Sequence, residues 1–210
     1  AVIAALAVPA AAQERGPTST SPEAIREAIG QLGDLDYATR MTAGRTIRRS
    51  PGQQAVPALL QAISEHADGF IRFRSLILLT GFNDPRLTDI MLELMASPND
   101  RLRETAYAYF ELHPDRLLAP RMLSALDKEE GEFVRPALVR ALAAVAGSPG
   151  VTEALVRDAG RGLDFFRSTV IEALGDYQIK AAVPKLIEIA RLDGPLQDDA
   201  ATALGKIGDR

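Results

Sequence analysis

Chemistry at a protein site needs nucleophiles, metal ligands or paired acids and bases, and this chain supplies few. Its two histidines, His66 and His113, each stand near a glutamate: Glu65 directly precedes the first and Glu111 lies two before the second. A metal centre needs several N/O ligands converging on one point, and two pairs, each with Glu ahead of His, are too few and in the wrong order to build one. Both histidines fall at expected helix ends, where an imidazolium complements the negative end of the helix dipole. There is no Cys, which removes thiolate catalysis, zinc fingers and disulfides together. The carboxylate pairs Glu129-Glu130 and Asp198-Asp199 belong to an ordinary charged surface and, without a cleft, carry no acid/base argument. No Ser-His-Asp spacing or phosphate-cradling Gly loop is present. No catalytic, cofactor-binding or metal residue is assigned, and no enzyme activity is expected.

Arginine is the more informative residue. Arg40, Arg74, Arg103, Arg135 and Arg167 recur along the chain, each with an acid upstream: Asp36, Asp68, Asp100, Glu132 and Asp164. Such a series could grip an acidic partner. Each arginine also sits close to a helix start, where the dipole disfavours a cation. The reading adopted is structural: the acids cap helices and pair with arginines of the same or the adjoining unit. A second cluster is Arg40, Arg45, Arg48 and Arg49, four arginines with no acid between Tyr37 and Ser64. Arg45, Arg48 and Arg49 share one helical face, suited either to an acidic segment or phosphate, or simply to solvent.

These arginines mark a period. With Gln197 added, the six anchors are 34, 29, 32, 32 and 30 residues apart. One before each anchor stand Thr39, Phe73, Leu102, Val134, Phe166 and Leu196. Three after stand Ala43, Ile77, Ala106, Leu138, Val170 and Ala200, and seven after stand Ile47, Gly81, Phe110, Leu142, Leu174 and Leu204. Offsets of −1, +3 and +7 lie on one helical face, so each block is an amphipathic helix, the second of its unit. A first helix precedes each, over 25–32, 56–63, 87–95, 117–126, 151–159 and 183–190. Pro57 and Pro184 fall in or near first turns, where a missing N–H costs little. Gly175 and Gly205 are read as helix terminators. A two-helix unit cannot bury its apolar face alone, but stacked copies share a core. The expected fold is all-α, an α-α superhelix of about six helix pairs.

Two motifs carry a family resemblance: Leu-Gly-Asp-x(6)-Val183-Pro184-x-Leu-Ile, and Ala-Ala-x-Ala203-Leu204-Gly205-x-Ile-Gly-Asp209. They resemble HEAT repeats, most closely the short bacterial type known as phycobilisome-lyase HEAT-like repeats. The resemblance is strongest over 163–209, good over 53–80 and 99–145, and loose over 22–49. Gln197 stands where Arg is usual, and Thr80-Gly81 where Ala-Leu is usual. The resemblance implies an armadillo-type scaffold that binds protein partners. Some HEAT-repeat hydroxylases hold di-iron with several His–Glu pairs, a set this chain lacks.

Composition sets the remaining limits. With 47% apolar, 25% charged and 5% aromatic residues, the 210-residue chain is of globular type. A net charge of −4 argues against a general nucleic-acid binder. The opening AVIAALAVPAAA reads as the apolar part of a secretory signal ending in a small-residue cleavage site, which implies an exported, periplasmic or secreted bacterial protein. Residues 13–21 read as a flexible linker and 22–210 as the repeat domain, continuing beyond the last residue. No membrane span is expected in the repeat domain.

If second helices line the inner curve, offsets +1 and +5 face a ligand: Met41, Arg45, Ser75, Leu79, Glu104, Ala108, Pro136, Arg140, Ser168, Glu172, Asp198 and Thr202. Four of their charged members, Arg45, Glu104, Arg140 and Glu172, together with Arg48 and Arg49 give the candidate partner-binding set. Tyr107 and Tyr109, closely spaced, are read as core filler. The expected function is a non-catalytic binding or scaffold module for a protein partner, without cofactor. The alternatives are a bilin-lyase-type enzyme or accessory, and a repeat segment of a larger exported enzyme.

Overall fold

The computed structural model describes residues 20–208, so the expected signal and most of the linker lie outside the described residues. Every regular element described is helical: α1 (Pro22–Gln31), α2 (Tyr37–Arg49), α3 (Gly52–Glu65), α4 (Gly69–Thr80), α5 (Leu87–Leu94), α6 (Asp100–Leu112), α7 (Ala119–Leu126), α8 (Val134–Ala144), α9 (Val151–Ala159), α10 (Asp164–Asp176), α11 (Val183–Ala190) and α12 (Gln197–Ile207). Single 3-10 turns at Arg116–Leu118 and Lys180–Ala182 lead into α7 and α11. None of these helices is long and apolar enough to cross a membrane.

The helices pack as six consecutive pairs, as the periodicity predicts, and the fold is all-α and consistent with an α-α superhelix. The chain divides into two compact units at Asp84 and Pro85. In the first, α1 packs on α2 and α3 on α4, and the pairs meet through α1–α3, α1–α4 and α2–α4 contacts. In the second, four pairs follow, and their second helices α6, α8, α10 and α12 stack in series.

Local chemistry sets the boundaries. Ser21 caps α1 by accepting from the Ala24 N–H at 3.2 Å, with Pro22 opening the first turn. Asp36 caps α2 through the Thr39 N–H (2.7 Å) and Asp68 caps α4 through the Phe70 N–H (2.7 Å), each side chain satisfying an orphan donor. Pro184 stands in the first turn of α11, as expected, but Pro57 lies inside α3, which begins five residues earlier. It is exposed there, on the side of α3 away from the core.

The buried face follows the predicted offsets in five pairs, except that Thr39, Phe166 and Leu204 are only half-buried, and departs in one. Leu102, Ala106 and Phe110 of α6, and Val134, Leu138 and Leu142 of α8, are buried. In α4 the expected core residue Ile77 is 47% exposed, whereas Ser75 and Leu79, expected on the ligand face, are fully buried. Taking Arg72 as the anchor repairs this, because Ile71, Ser75 and Leu79 then occupy −1, +3 and +7, and all three are buried. The anchors Arg40, Arg72, Arg103, Arg135, Arg167 and Gln197 are 32, 31, 32, 32 and 30 apart, a tighter period than the sequence alone suggested.

Gly175 and Gly205 do not terminate helices. Gly175 is buried inside α10, where a Cβ would come within 2.7 Å of the Ala203 Cα on α12. The chain turns later, at Gln178 with φ of 51°. Glycine at 175 lets the two backbones touch. Gly205 lies on the exposed side of α12 with nothing near it.

This contrast predicts opposite effects of one methyl group. Gly175→Ala must force α10 and α12 apart and should destabilise by about 1–3 kcal/mol. Gly205→Ala should stabilise by about 0.5–1 kcal/mol through higher helix propensity. Urea unfolding of the two variants measures both.

Candidate binding surface

The arginine anchors are a structural clamp with a defined acceptor. At the end of each first helix, unbonded carbonyls remain, and the second helix of the pair sends a side chain back to them or to the turn just beyond. Arg40 Nη1 donates to the Asp34 and Leu35 carbonyls, both at 2.7 Å. Arg72 Nε reaches the Ile63 carbonyl at 2.7 Å, Arg103 Nη1 that of Ser97 at 2.8 Å, and Arg135 Nη1 that of Leu126 at 2.7 Å. Arg167 Nε reaches the Ala159 carbonyl at 3.2 Å, and the Gln197 amide repeats the contact on Ala190 at 3.1 Å. A cation disfavoured at its own helix start is placed at the negative end of the preceding helix. Arg74 is not the clamp of its pair; its guanidinium lies 4.4 Å over the Phe70 ring.

The acids expected to pair with these arginines do so only in part. Asp100 and Asp164 bind Arg103 and Arg167, each at 2.9 Å, whereas Glu132 is exposed. The links between successive pairs of the second unit come from other acids. Glu129 receives Arg103 Nε at 2.9 Å and Nη2 at 3.0 Å, a two-pronged contact. Arg135 Nη2 binds Asp158 at 3.0 Å, and Arg157 Nε binds the other oxygen of Asp158 at 2.9 Å. Glu129 and Asp158 are 9% and 2% exposed, so Glu129 is not the solvated surface acid that its run of charges suggested. Burial alone pushes the Glu129 carboxyl up. Hydrogen bonds from Arg103 and the Gly131 N–H, with the charges of Arg103 and Arg135, outweigh that and hold it below the ordinary glutamate value.

A second network crosses the second helices of the same unit. Arg140 on α8 binds Glu111 on α6 at 2.8 Å and Asp176 on α10 at 3.0 Å, and Lys206 on α12 binds Asp176 at 2.7 Å. The Tyr177 hydroxyl donates to Glu111 at 2.9 Å. Burial, followed by that glutamate, pushes the phenol up to about 12. Hydrogen bonds from Lys206 and Arg140 hold the Asp176 carboxyl below the ordinary aspartate value. Arg140, expected to meet a partner, is therefore engaged in holding three helices together.

The remaining candidates separate by location. Glu172 is exposed on α10 beside a small hollow of about 120 Å³ that it shares with Ser168, Asp199 and Lys206; Ser168 donates to Asp199 at 2.6 Å. Glu104 is half-buried on α6. Arg45, Arg48 and Arg49 are all exposed on α2, and none meets a protein acceptor among the described residues. Arg48 also lines a groove of about 210 Å³ between α2 and α4, with Arg40, Met41, Phe73, Ile77 and Leu78 among its walls. In the corrected register Met41, Phe73 and Ile77 are the +1, +1 and +5 positions, so this groove is the second-helix face of the first unit. The sequence missed it because one wall depends on the register of α4.

Both histidines stand at helix ends, as expected. His66 Nδ1 accepts the Asp68 N–H at 3.0 Å. His113 stacks on Tyr109 at 4.2 Å between ring centroids, while its Nδ1 lies 3.0 Å from the Tyr109 carbonyl. Tyr107 is buried as core filler; Tyr109 is half-buried, its hydroxyl 2.8 Å from that of Thr88.

Acid should weaken the Arg103–Glu129 link. A carboxyl whose folded value is depressed contributes stability that is present above its unfolded value and lost as pH falls through the folded one. Lowering the pH from 5 toward 3 should therefore destabilise the wild type. Glu129→Gln should cost about 1–3 kcal/mol at pH 7, leaving Arg103 only the exposed Asp100 and the Ser97 carbonyl, and should flatten that acid dependence. Urea unfolding at both pH values checks the difference.

Residues 23–111 match the family model described as HEAT repeats. The match supports HEAT repeats over that stretch. It includes the stretch where the sequence resemblance was loosest and stops short of 163–209, where it was strongest. No curated protein matches the chain. Among solved structures, human deoxyhypusine hydroxylase in complex with glycerol is similar at 20% identity and a TM-score of 0.40, over 90% of this chain and 86% of that one. An engineered protein is similar at 16% identity and a TM-score of 0.49, over 88% of this chain and 96% of that one. Neither likeness bears on activity.

Proposed function

We propose that this chain is a non-catalytic HEAT-repeat binding module of an exported bacterial protein, presenting the face of its second helices to a protein partner. The observation that supports this is the state of the arginines. Those of the clamp and of the α6–α8–α10–α12 network have acceptors within the fold. Arg45, Arg48 and Arg49 project from α2 without one among the described residues, beside an open groove of the same face. Export is supported by the apolar opening stretch, and the short phycobilisome-lyase-like subtype by the Leu-Gly-Asp and Val-Pro motifs.

Photo-crosslinking in intact cells tests the reading. Benzoylphenylalanine at Thr42, exposed on the α2 face, should give one discrete heavier adduct, and at Gln53, exposed on α3, none. No adduct at Thr42, or the same adducts from both positions, contradicts it.

A further inference from the structure

The groove between α2 and α4 has a chemistry that narrows its occupant. Its floor is apolar, formed by Met41, Phe73, Ile77 and Leu78, with Ile77 left 47% exposed. Its polar walls are guanidinium groups, and no carboxylate lines it. Gly44 on α2 is buried under Arg48: a Cβ there would lie 3.6 Å from Arg48 Nη2, so the guanidinium rests close against the helix at the groove's side. Arg40 Nε is buried and donates to no protein atom. Arg45 and Arg49 extend the positive edge along α2, and no acid occurs between Tyr37 and Ser64.

We propose that this groove binds an acidic segment of a protein partner, seating one apolar side chain on the Met41–Ile77 floor while flanking carboxylates pair with Arg48 and Arg45. The inference rests on the binding-module reading and names the partner's chemistry. Size and charge favour this occupant. A volume of about 210 Å³ is below the roughly 300–1,000 Å³ of small-molecule sites and suits a side chain. A cationic rim around an apolar centre is the complement of an acidic segment with one hydrophobic anchor. With a net charge of −4 and this apolar floor, a nucleic acid fits less well.

The test uses the purified chain and a fluorescein-labelled octapeptide, Glu-Asp-Leu-Glu-Glu-Leu-Asp-Glu, read by anisotropy at low and physiological salt. The expected result is saturable binding that weakens with salt and falls at least about tenfold for Arg45→Glu/Arg48→Glu. A similar loss should follow when both peptide leucines become serine, and when Ile77 becomes serine. A peptide with Gln and Asn for its acids should not bind. Both arginines are exposed without protein partners, so thermal unfolding of their double variant should match the wild type. The proposal is overturned by no binding, by equal binding of the neutral peptide, or by unchanged affinity of the double variant. Displacement of the peptide by equimolar inorganic phosphate or oligouridylate also overturns it. A Thr42 adduct in cells without peptide binding would retire the acidic segment alone. Peptide binding without any cellular adduct would instead retire the partner reading.

Discussion

A helix pair that folds back on itself brings a helix C-terminus, with its unbonded carbonyls, against the start of the next helix, and the fold depends on how those carbonyls are satisfied. In all six pairs one side chain from the second helix reaches back and donates to them or to the turn just beyond. This contact fixes which residue of the second helix faces the first, and so determines which residues are core and which are surface. Arginine suits the task because its length spans the turn and its charge complements the dipole it meets. Gln197 shows that the donor matters even without the charge.

The same arginines do further work in the second unit. Arg103 and Arg135 have donors left after the clamp, and these reach Glu129 and Asp158 of the next pair. Each clamp is thereby tied to its successor, and the acids that receive the link are buried. Arg140, Asp176 and Lys206 add a second row across the stacked helices. Arg103, Arg135 and Arg140 of that unit are engaged within the fold, whereas Arg45, Arg48 and Arg49 on α2 face outward. The residues proposed to bind are thus different from those that form the structural rows.

The period, the pairing and most helix limits were legible because they follow from apolar spacing and from breakers such as Gly33-Asp34 and Asp193-Gly194-Pro195. The register of α4 was not. Arg72 and Arg74 stand two residues apart, and Phe73 and Ile77 imitate a core pair, while the true core position holds Ser75, a polar residue. Glu129 was hidden in a run of charges whose burial is a tertiary effect. Gly175 resembles a terminator in sequence, and only the approach of Ala203 shows its purpose. The α2–α4 groove needs two helices in register, so neither segment discloses it alone.

The clamp can be tested by separating its donor from its charge at Arg167, whose side chain is 21% exposed and bound to the Ala159 carbonyl. Urea unfolding of Arg167→Gln and Arg167→Met, compared with the wild type at pH 7, makes the separation. If a back-reaching donor holds each pair, the glutamine variant keeps most of the stability, while the methionine variant loses about 1.5 kcal/mol. Equal losses in the two variants would show that the hydrogen bond to the preceding helix is not what holds the pair, and would contradict the account.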